Sequence, residues 1–410
     1  MERADAAAFW LEAGLDLCAF LLMPMLALVP HGAAPLAAFA GLCAAGLVMT
    51  RGASLRPLFA PAVLLGGLLL WGAVSAIGAI DPVRSLVLDL QLAGLFLAAL
   101  ALAAAAERIA SPWRMALCLM AGAALGLMLA GYDLATDGGL TRLISVRGFR
   151  PARLDQIAIG LAILALPASA ALFSRRKAAG AGTLIAAAGG VFLLDDASAK
   201  AALIAAVPVA AIAFWRPRGI ARLAAALSVL FIVTAPLTLP KLASVPGLVA
   251  EADSFKISAG HRLLVWSFVG ERIAERPFSG WGLDSSRAIP GGNVEARLGQ
   301  NWLPLHPHDA ALQVWLELGA PGAVLFAALV ALFWLRLDRL GGPRLYAAAA
   351  AGALMATLAP EFAAYGVWQE WWIGTLALAL FLVMVMARDA ETSAATATPP
   401  RQRGWRGGDR

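Results

Sequence analysis

His306-Pro-His308-Asp-Ala-Ala-Leu-Gln-Val-Trp-Leu-Glu-Leu-Gly319-Ala-Pro-Gly322 is the stretch in which a polar segment gives way to an apolar one. Two of the four histidines of the chain lie here, and His261 lies earlier in the same polar segment. Imidazole exchanges a proton near neutral pH. After His308 the sequence stays apolar for about 25 residues, enough to cross a bilayer. The histidine pair is therefore expected where a loop enters a membrane helix, at the boundary between water and lipid. That boundary suits chemistry joining a lipid-carried substrate to one in water.

Outward from this stretch the chain is 61% hydrophobic and 14% charged, with a mean hydropathy of +0.77. Soluble domains run near 45–50% apolar and about 25% charged. The expected class is an all-α polytopic membrane protein. Cys18, Cys43 and Cys118 all fall in apolar runs and read as small buried hydrophobes, not as a disulfide or metal framework. The first apolar run lacks a basic leader and reads as a membrane helix.

Apolar runs of spanning length fall near 13–30, 33–50, 58–80, 85–106, 114–132, 154–173, 179–194, 199–215, 220–239, 309–334, 344–362 and 367–387. They predict about 12 transmembrane helices in one membrane domain. About nine lie in a block over 1–239, a large loop covers 240–308, and about three lie in a block over 309–390. A Pro/Arg/Gly-rich tail, 391–410, has the composition of a disordered segment. With both termini in the cytoplasm, 19 of the 32 Lys and Arg residues fall in cytoplasmic segments, in alternation across all spans. This follows the positive-inside rule and places the large loop on the outer side. Within the loop, His261 to Arg276 has helical spacing, ended by Pro277 and Gly280, and Gly280-Trp-Gly282 and Gly291-Gly292 read as turns.

Outer positive charge departs from that rule at Arg142, Arg147, Arg150 and Arg153, at Lys200, and at Arg262, Arg272, Arg276, Arg287 and Arg297. An anionic ligand is one reason to keep it there. Each residue also has a plainer reading. Arg262 reads equally as a snorkelling surface arginine. Lys200 reads as a helix-end lysine paired with Asp195 or Asp196, and Arg153 as the partner of Asp155. His308 reads either as a proton-transfer group or as a boundary residue beside Asp309, the first-turn anion of the next helix. Trp368, Trp371 and Trp372 read as an interfacial belt. The sequence contains no zinc-ligand spacing, phosphate-binding loop, dinucleotide glycine motif or Gly-x-Ser-x-Gly.

His308-Asp309, nine residues, then Gly319-Ala-Pro-Gly322 resembles the His-[Asn/Ser/Gln]-x9-Gly-x-x-Gly signature of the O-antigen ligase/polymerase superfamily, with Asp309 replacing the usual amide or serine. Gly260-His-Arg262-Leu-Leu-Val-Trp266, Glu275-Arg-Pro277-Phe-Ser-Gly280-Trp-Gly282 and Ser198-Ala-Lys200-Ala resemble further features of that superfamily, with lysine standing for arginine at 200. The resemblance covers roughly 140–390. It implies a GT-C-like membrane fold and a metal-independent glycosyl transfer, without a cofactor, at the periplasmic face of the bacterial inner membrane. The implied donor is a glycan on undecaprenyl diphosphate. The implied acceptor hydroxyl belongs to lipid A–core in a ligase, to another lipid-linked glycan in a polymerase, or to a protein in a protein O-oligosaccharyltransferase. It also implies His308 and Arg262 as catalytic residues, with Lys200, Arg147, Arg150, Arg153 and His306 in substrate contact. A twelve-helix transporter or flippase is the reading from another class. It would place ionisable residues deep within its helices, and these are scarce here.

Overall fold

The computed structural model describes residues 2–145, 148–337 and 343–397. Its helices are α1 (Glu2–Leu28), α2 (Ala33–Arg51), α3 (Phe59–Ser75), α4 (Pro82–Ala105), α5 (Pro112–Ala135), α6 (Thr141–Ile144), α7 (Asp155–Phe173) and α8 (Lys177–Leu193). They continue as α9 (Ala197–Trp215), α10 (Pro217–Thr238), α11 (Leu248–Phe255), α12 (Ile257–Glu275), α13 (Ala310–Arg336), α14 (Arg344–Glu361) and α15 (Glu370–Ala397). A small antiparallel pair, β1 (Glu295–Arg297) and β2 (Gln300–Asn301), sits in the loop. Ten helices among the described residues are long and apolar enough to cross a membrane. The other two expected spans coincide with the 17-residue α8 and the 18-residue, alanine-rich α14, neither of which is among those ten. The chain is a multi-pass, all-α membrane protein.

Starts and stops follow local chemistry. Proline opens α4, α5 and α10, where its missing N–H costs nothing. Asp81 caps α4 by accepting from the Arg84 amide at 3.0 Å. The helices α7 and α15 are each 78% buried over their apolar windows, so they form the centre of the bundle. Gly122 and Gly126, one turn apart on α5, let the backbone of α1 approach. A Cβ at Gly122 would sit 2.0 Å from the Phe20 carbonyl oxygen, the close approach that small residues permit between membrane helices. The last helix continues past Arg388 to Ala397, into the stretch expected as a tail. Residues 398–410 lie outside the described residues.

The two ends of the bundle are distinct. At one end α1 starts inside a polar cluster that an apolar-run reading passes over. Buried Glu12 accepts from Arg51, from Arg114 at 3.2 Å and from the Ala110 amide at 2.9 Å, and Asp16 accepts from Arg114 at 2.6 Å. Arg388 reaches the Ile109 carbonyl at this same end, at 3.2 Å. At the other end Arg84 meets Asp284 of the loop at 2.5 Å, and Arg276 of the loop meets the Gly78 carbonyl at 3.0 Å.

The loop docks through the glycines of α13. Gly319 has φ 62° and ψ −161°, so the helix breaks there. Pro321 has no N–H to give the Glu317 carbonyl, and Ala320 N turns instead to Pro277 O at 2.9 Å. The freed carbonyls find loop partners. Trp281 N donates to Leu316 O at 2.9 Å, and Gly282 N to Glu317 O at 2.8 Å. Trp71 Nε1 donates to Leu318 O at 2.7 Å. A Cβ at Gly319 would sit 2.1 Å from Phe278 O, and one at Gly280 would sit 2.3 Å from Glu317 O. Both glycines have positive φ and serve one backbone-to-backbone contact.

Candidate functional site

Asp309 is the N-cap of α13. Its Oδ1 accepts from the Leu312 amide at 2.8 Å. Asparagine and serine also cap helices, so aspartate keeps the local structure that the usual residues provide. Asp309 is fully buried and its Oδ2 has no hydrogen-bond partner. Burial raises its carboxyl to about 7, against the amides of Leu312 and Ala311, which lower it.

His308 precedes this cap in the left-handed region, with φ 59°, a conformation uncommon outside glycine and most informative at functional sites. Its Nδ1 lies 2.7 Å from the Ala364 carbonyl oxygen. A carbonyl only accepts, so Nδ1 carries the proton and neutral His308 keeps a lone pair on Nε2. Burial pulls His308 below its ordinary value, with Arg262 and His261 pulling the same way and the Ala364 bond opposing them. The His306 ring centroid lies 4.3 Å away. His306 Nδ1 accepts from the His308 amide at 3.2 Å, so its own neutral proton sits on Nε2. His306 Nε2 is 3.5 Å from the Gln369 amide nitrogen, while Gln369 Oε1 is buried without a partner. Rotating that amide by half a turn pairs the oxygen with the ring N–H. Burial first, then His308, Arg287 and Arg262, push His306 down to about 3. Trp266 Nε1 donates to Pro307 O at 3.0 Å and fixes the dipeptide between the two rings.

Arg262, on α12, is the cation that acts on both histidines. Burial lowers its pKa, while Asp196 and then Tyr365 raise it. Asp196 caps α9 through Oδ1, which accepts from Ser198 N at 2.8 Å. The Tyr365 hydroxyl is buried against Asp196, its side-chain hydrogen-bond neighbour. Burial and then Asp196 and Asp155 push Tyr365 well above its ordinary value. Asp155, Asp196 and Lys256 act on one another electrostatically. Lys256, the residue before α12, is therefore part of this cluster. Lys200 Nζ lies 3.9 Å from Oδ1 of fully exposed Asp195. Among the described residues no hydrogen bond or ion pair joins Lys200 to Arg262.

Most of the other outer cations have protein partners. Arg297 is bidentate to Asp253 at 2.8 Å, Arg272 meets Glu275 at 2.7 Å, and Arg287 meets Asp284 at 3.0 Å. Arg276 covers the Trp281 ring at 4.1 Å. Arg142 pairs with Asp137. Arg153 donates to Ser145 Oγ at 2.7 Å and to Gly148 O at 3.4 Å, closing its own loop instead of pairing with Asp155. Arg150 is exposed, and Arg147 lies outside the described residues. Positive charge on this face is thus largely accounted for by loop structure, with Arg262 and Lys256 directed at the acidic and tyrosyl cluster.

Glu317 is a feature that sequence reading missed. It is fully buried on α13 and accepts from Asp284 N at 2.7 Å, from Ser286 Oγ, from Gln313 Nε2 at 3.1 Å and from Trp368 Nε1 at 2.8 Å. Its position eight residues after Asp309, on the face that carries Gln313, was the available signal. The tryptophans correct an expectation. Trp368, Trp371 and Trp372 are buried within the protein, at 6%, 6% and 0% exposure, and do not form an outward belt. Two of their indole N–H groups serve buried carboxylates, Trp368 on Glu317 and Trp372 on Glu361.

Residues 181–327 match a family model described as O-Antigen ligase. A protein of Rickettsia conorii, whose polysaccharide ligase name is provisional, is 36% identical over 135 residues, covering 32% of this chain and 33% of that one. A Rickettsia bellii protein with the same provisional name is 27% identical over 325 residues, covering 78% of each chain. A third, from Rickettsia prowazekii, is 37% identical over 121 residues, covering 28% of this chain and 29% of its own. The chain thus spans about a third of the length of the first curated relatives it matches. The matched region holds α9, α12, the loop and the start of α13.

Proposed function

Since this chain belongs to the O-antigen ligase superfamily, we propose that it is a polysaccharide ligase that moves a glycan from a polyprenyl diphosphate to an acceptor hydroxyl at the outer membrane–water boundary. In this reading undecaprenyl diphosphate carries the donor and lipid A–core supplies the acceptor. The acceptor oxygen attacks the anomeric carbon and loses its proton to His308 Nε2. The bond between that carbon and the phosphate oxygen breaks, and the lipid diphosphate leaves with the electron pair. Arg262 balances the charge growing on the diphosphate, in a buried site where a fixed cation acts strongly. Lys256 and Lys200 add positive charge at the mouth. Both termini are cytoplasmic and the 240–308 loop is periplasmic.

The observation that supports the reading best is a neutral imidazole at the start of a membrane helix. Its Nδ1–H is committed to the Ala364 carbonyl, and a half-buried arginine acts on it. Such a ring is oriented to accept a proton at the other nitrogen. The test is transfer by purified protein from a glycan on a lipid diphosphate, with lipid A–core, a second lipid-linked glycan and a protein offered as acceptors. Product on lipid A–core that disappears in His308→Ala and Arg262→Ala is the expected result. Product only on the second glycan makes the enzyme a polymerase, and product only on protein makes it an oligosaccharyltransferase. Wild-type rates in both variants would remove the assignment. Reporter fusions after Arg176 and after Asp284 test the orientation and should read cytoplasmic and periplasmic, respectively.

A further inference from the structure

Glu317 has no direct hydrogen bond to His308, yet the turn that accepts from the His308 ring and the helix that follows His308 are both tied to it. The ring is oriented by the Ala364 carbonyl, in the turn between α14 and α15. That turn is anchored internally by the Ala364 and Tyr365 amides on Pro360 O, at 2.8 and 3.1 Å. Its tether to α13 is different. Val367 N donates to Gln313 Oε1 at 3.0 Å, and Gln313 Nε2 donates to Glu317 Oε1 at 3.1 Å. Trp368 Nε1 donates to Glu317 Oε2 at 2.8 Å. The other lone pairs of the same carboxylate hold the loop through Asp284 N and Ser286. One buried carboxylate therefore fixes three segments: the loop at 284–286, the helix α13 that starts two residues after His308, and the turn that supplies the hydrogen-bond acceptor of His308.

Its donors are all neutral, so no cation shares the charge. Losing one buried partner of a charged hydrogen-bond set costs more than the net worth of the bond. That favours one geometry of the turn over its alternatives. We propose that Glu317, with Gln313 and Trp368, is a positioning residue that holds the Ala364 carbonyl on His308 Nδ1 and so keeps the His308 lone pair on Nε2. The proposal concerns the tautomer. It deepens the catalytic reading above and rests on that reading only for its kinetic consequence.

The test is ¹⁵N NMR of the full-length protein in detergent, labelled on its four histidines, with the His308 signals identified by their loss in His308→Ala. Wild type should show a single Nδ1–H form of His308. Glu317→Ala should show both tautomers in exchange. Trp368→Phe, which removes one donor and keeps an aromatic ring there, should show a smaller shift in the same direction, and Glu317→Gln should fall between wild type and Glu317→Ala. In transfer assays the same series should lower kcat by about 10-fold or more for Glu317→Ala, within the roughly 10²–10⁴-fold range of a base, with the KM for lipid donor held within about twofold. A folded Glu317→Ala with an unchanged Nδ1–H signal overturns the positioning role. If that variant cannot be isolated folded, an unchanged signal in Trp368→Phe does the same. A shifted tautomer with unchanged kcat leaves the positioning role standing and removes His308 as the base.

Discussion

Two buried carboxylates at the same end of the bundle are treated in opposite ways. Glu317 has neutral donors on both oxygens and no cation beside it. Asp196 spends one oxygen on a helix cap, and its charge acts on Arg262 and on the Tyr365 hydroxyl beside it. The saturated carboxylate is a fastening between loop and membrane helices. The other is divided between a helix cap and the cation and hydroxyl of a neighbouring cluster. Arg262 belongs to the same cluster, with Asp196 and Tyr365 as its electrostatic neighbours.

The largest effects should come from the open side. His308→Ala should cost about 10²–10⁴-fold in transfer rate, the usual range for a lost base, and Arg262→Ala should cost a similar amount. Both proteins should lose far less in Tm than in rate, because neither residue belongs to the Glu317 and Gly319 contacts that dock the loop. His306→Ala should only weaken transfer, since His306 is neutral and bound to His308 and Gln369. A drop in Tm as large as the drop in rate would erase the distinction between the two sides.

The closed side should fail differently. Gly319→Ala puts a methyl group 2.1 Å from Phe278 O and holds alanine at φ 62°. With ψ at −161° this backbone conformation is essentially confined to glycine and costs alanine about 1–3 kcal/mol, and the backbone clash adds to it. The expected outcome is a lower Tm and faster proteolysis within 277–308. Unchanged proteolysis would mean that the loop does not depend on this docking.

A smaller effect separates the two duties of Asp196. Asparagine also caps a helix, so Asp196→Asn keeps α9 and removes only the charge that acts on Arg262. The KM for the lipid diphosphate donor should change by about 10-fold, the size of one modest charge interaction of about 1.4 kcal/mol, with Tm unaltered. Lys200→Arg should stay near wild type, because Lys200 pairs only loosely with exposed Asp195, at 3.9 Å, and arginine keeps the charge. A silent Asp196→Asn would make the cap its whole role.

Hydropathy made the spans and the loop junction readable, because lipid forces long apolar helices into the sequence itself. His308 was readable because its motif is local. Asp196, Lys256, Tyr365 and Glu317 were not, because each owes its importance to residues far along the chain. Glu317 meets Trp368 across 51 positions, and Trp71 meets Leu318 across 247. The tryptophans misled for a related reason. An amphipathic ring at a helix start suits a membrane interface, and only the fold reveals buried carboxylates waiting for the indole N–H groups. The start of α1 was missed because Glu12 and Asp16 look like a polar flank until Arg51 and Arg114 are brought to them.

The smallest effect concerns Asp309, which lies between the two kinds of carboxylate. One oxygen caps α13 and the other is buried without a partner. Burial raises its carboxyl from 3.8 to about 7 in the fold. The raised value means that the folded state resists ionisation. Stability from this group is therefore complete below pH 3.8 and is lost as pH rises towards 7. His306 works in the opposite sense. Its folded value of about 3, against 6.5 when unfolded, gives stability that is present above pH 6.5 and lost as pH falls towards 3. Asp309→Asn keeps a capping side chain and removes only the first of these dependences. The difference in Tm between variant and wild type should therefore be small at pH 4 and grow up to pH 7. Above that it should favour the variant by about 2–4 °C for each kcal/mol recovered. Transfer should remain within about twofold, since asparagine keeps α13 starting in the same place beside His308. A difference in Tm that is independent of pH would show that Asp309 stays ionised in the fold, stabilised by its amides despite its burial.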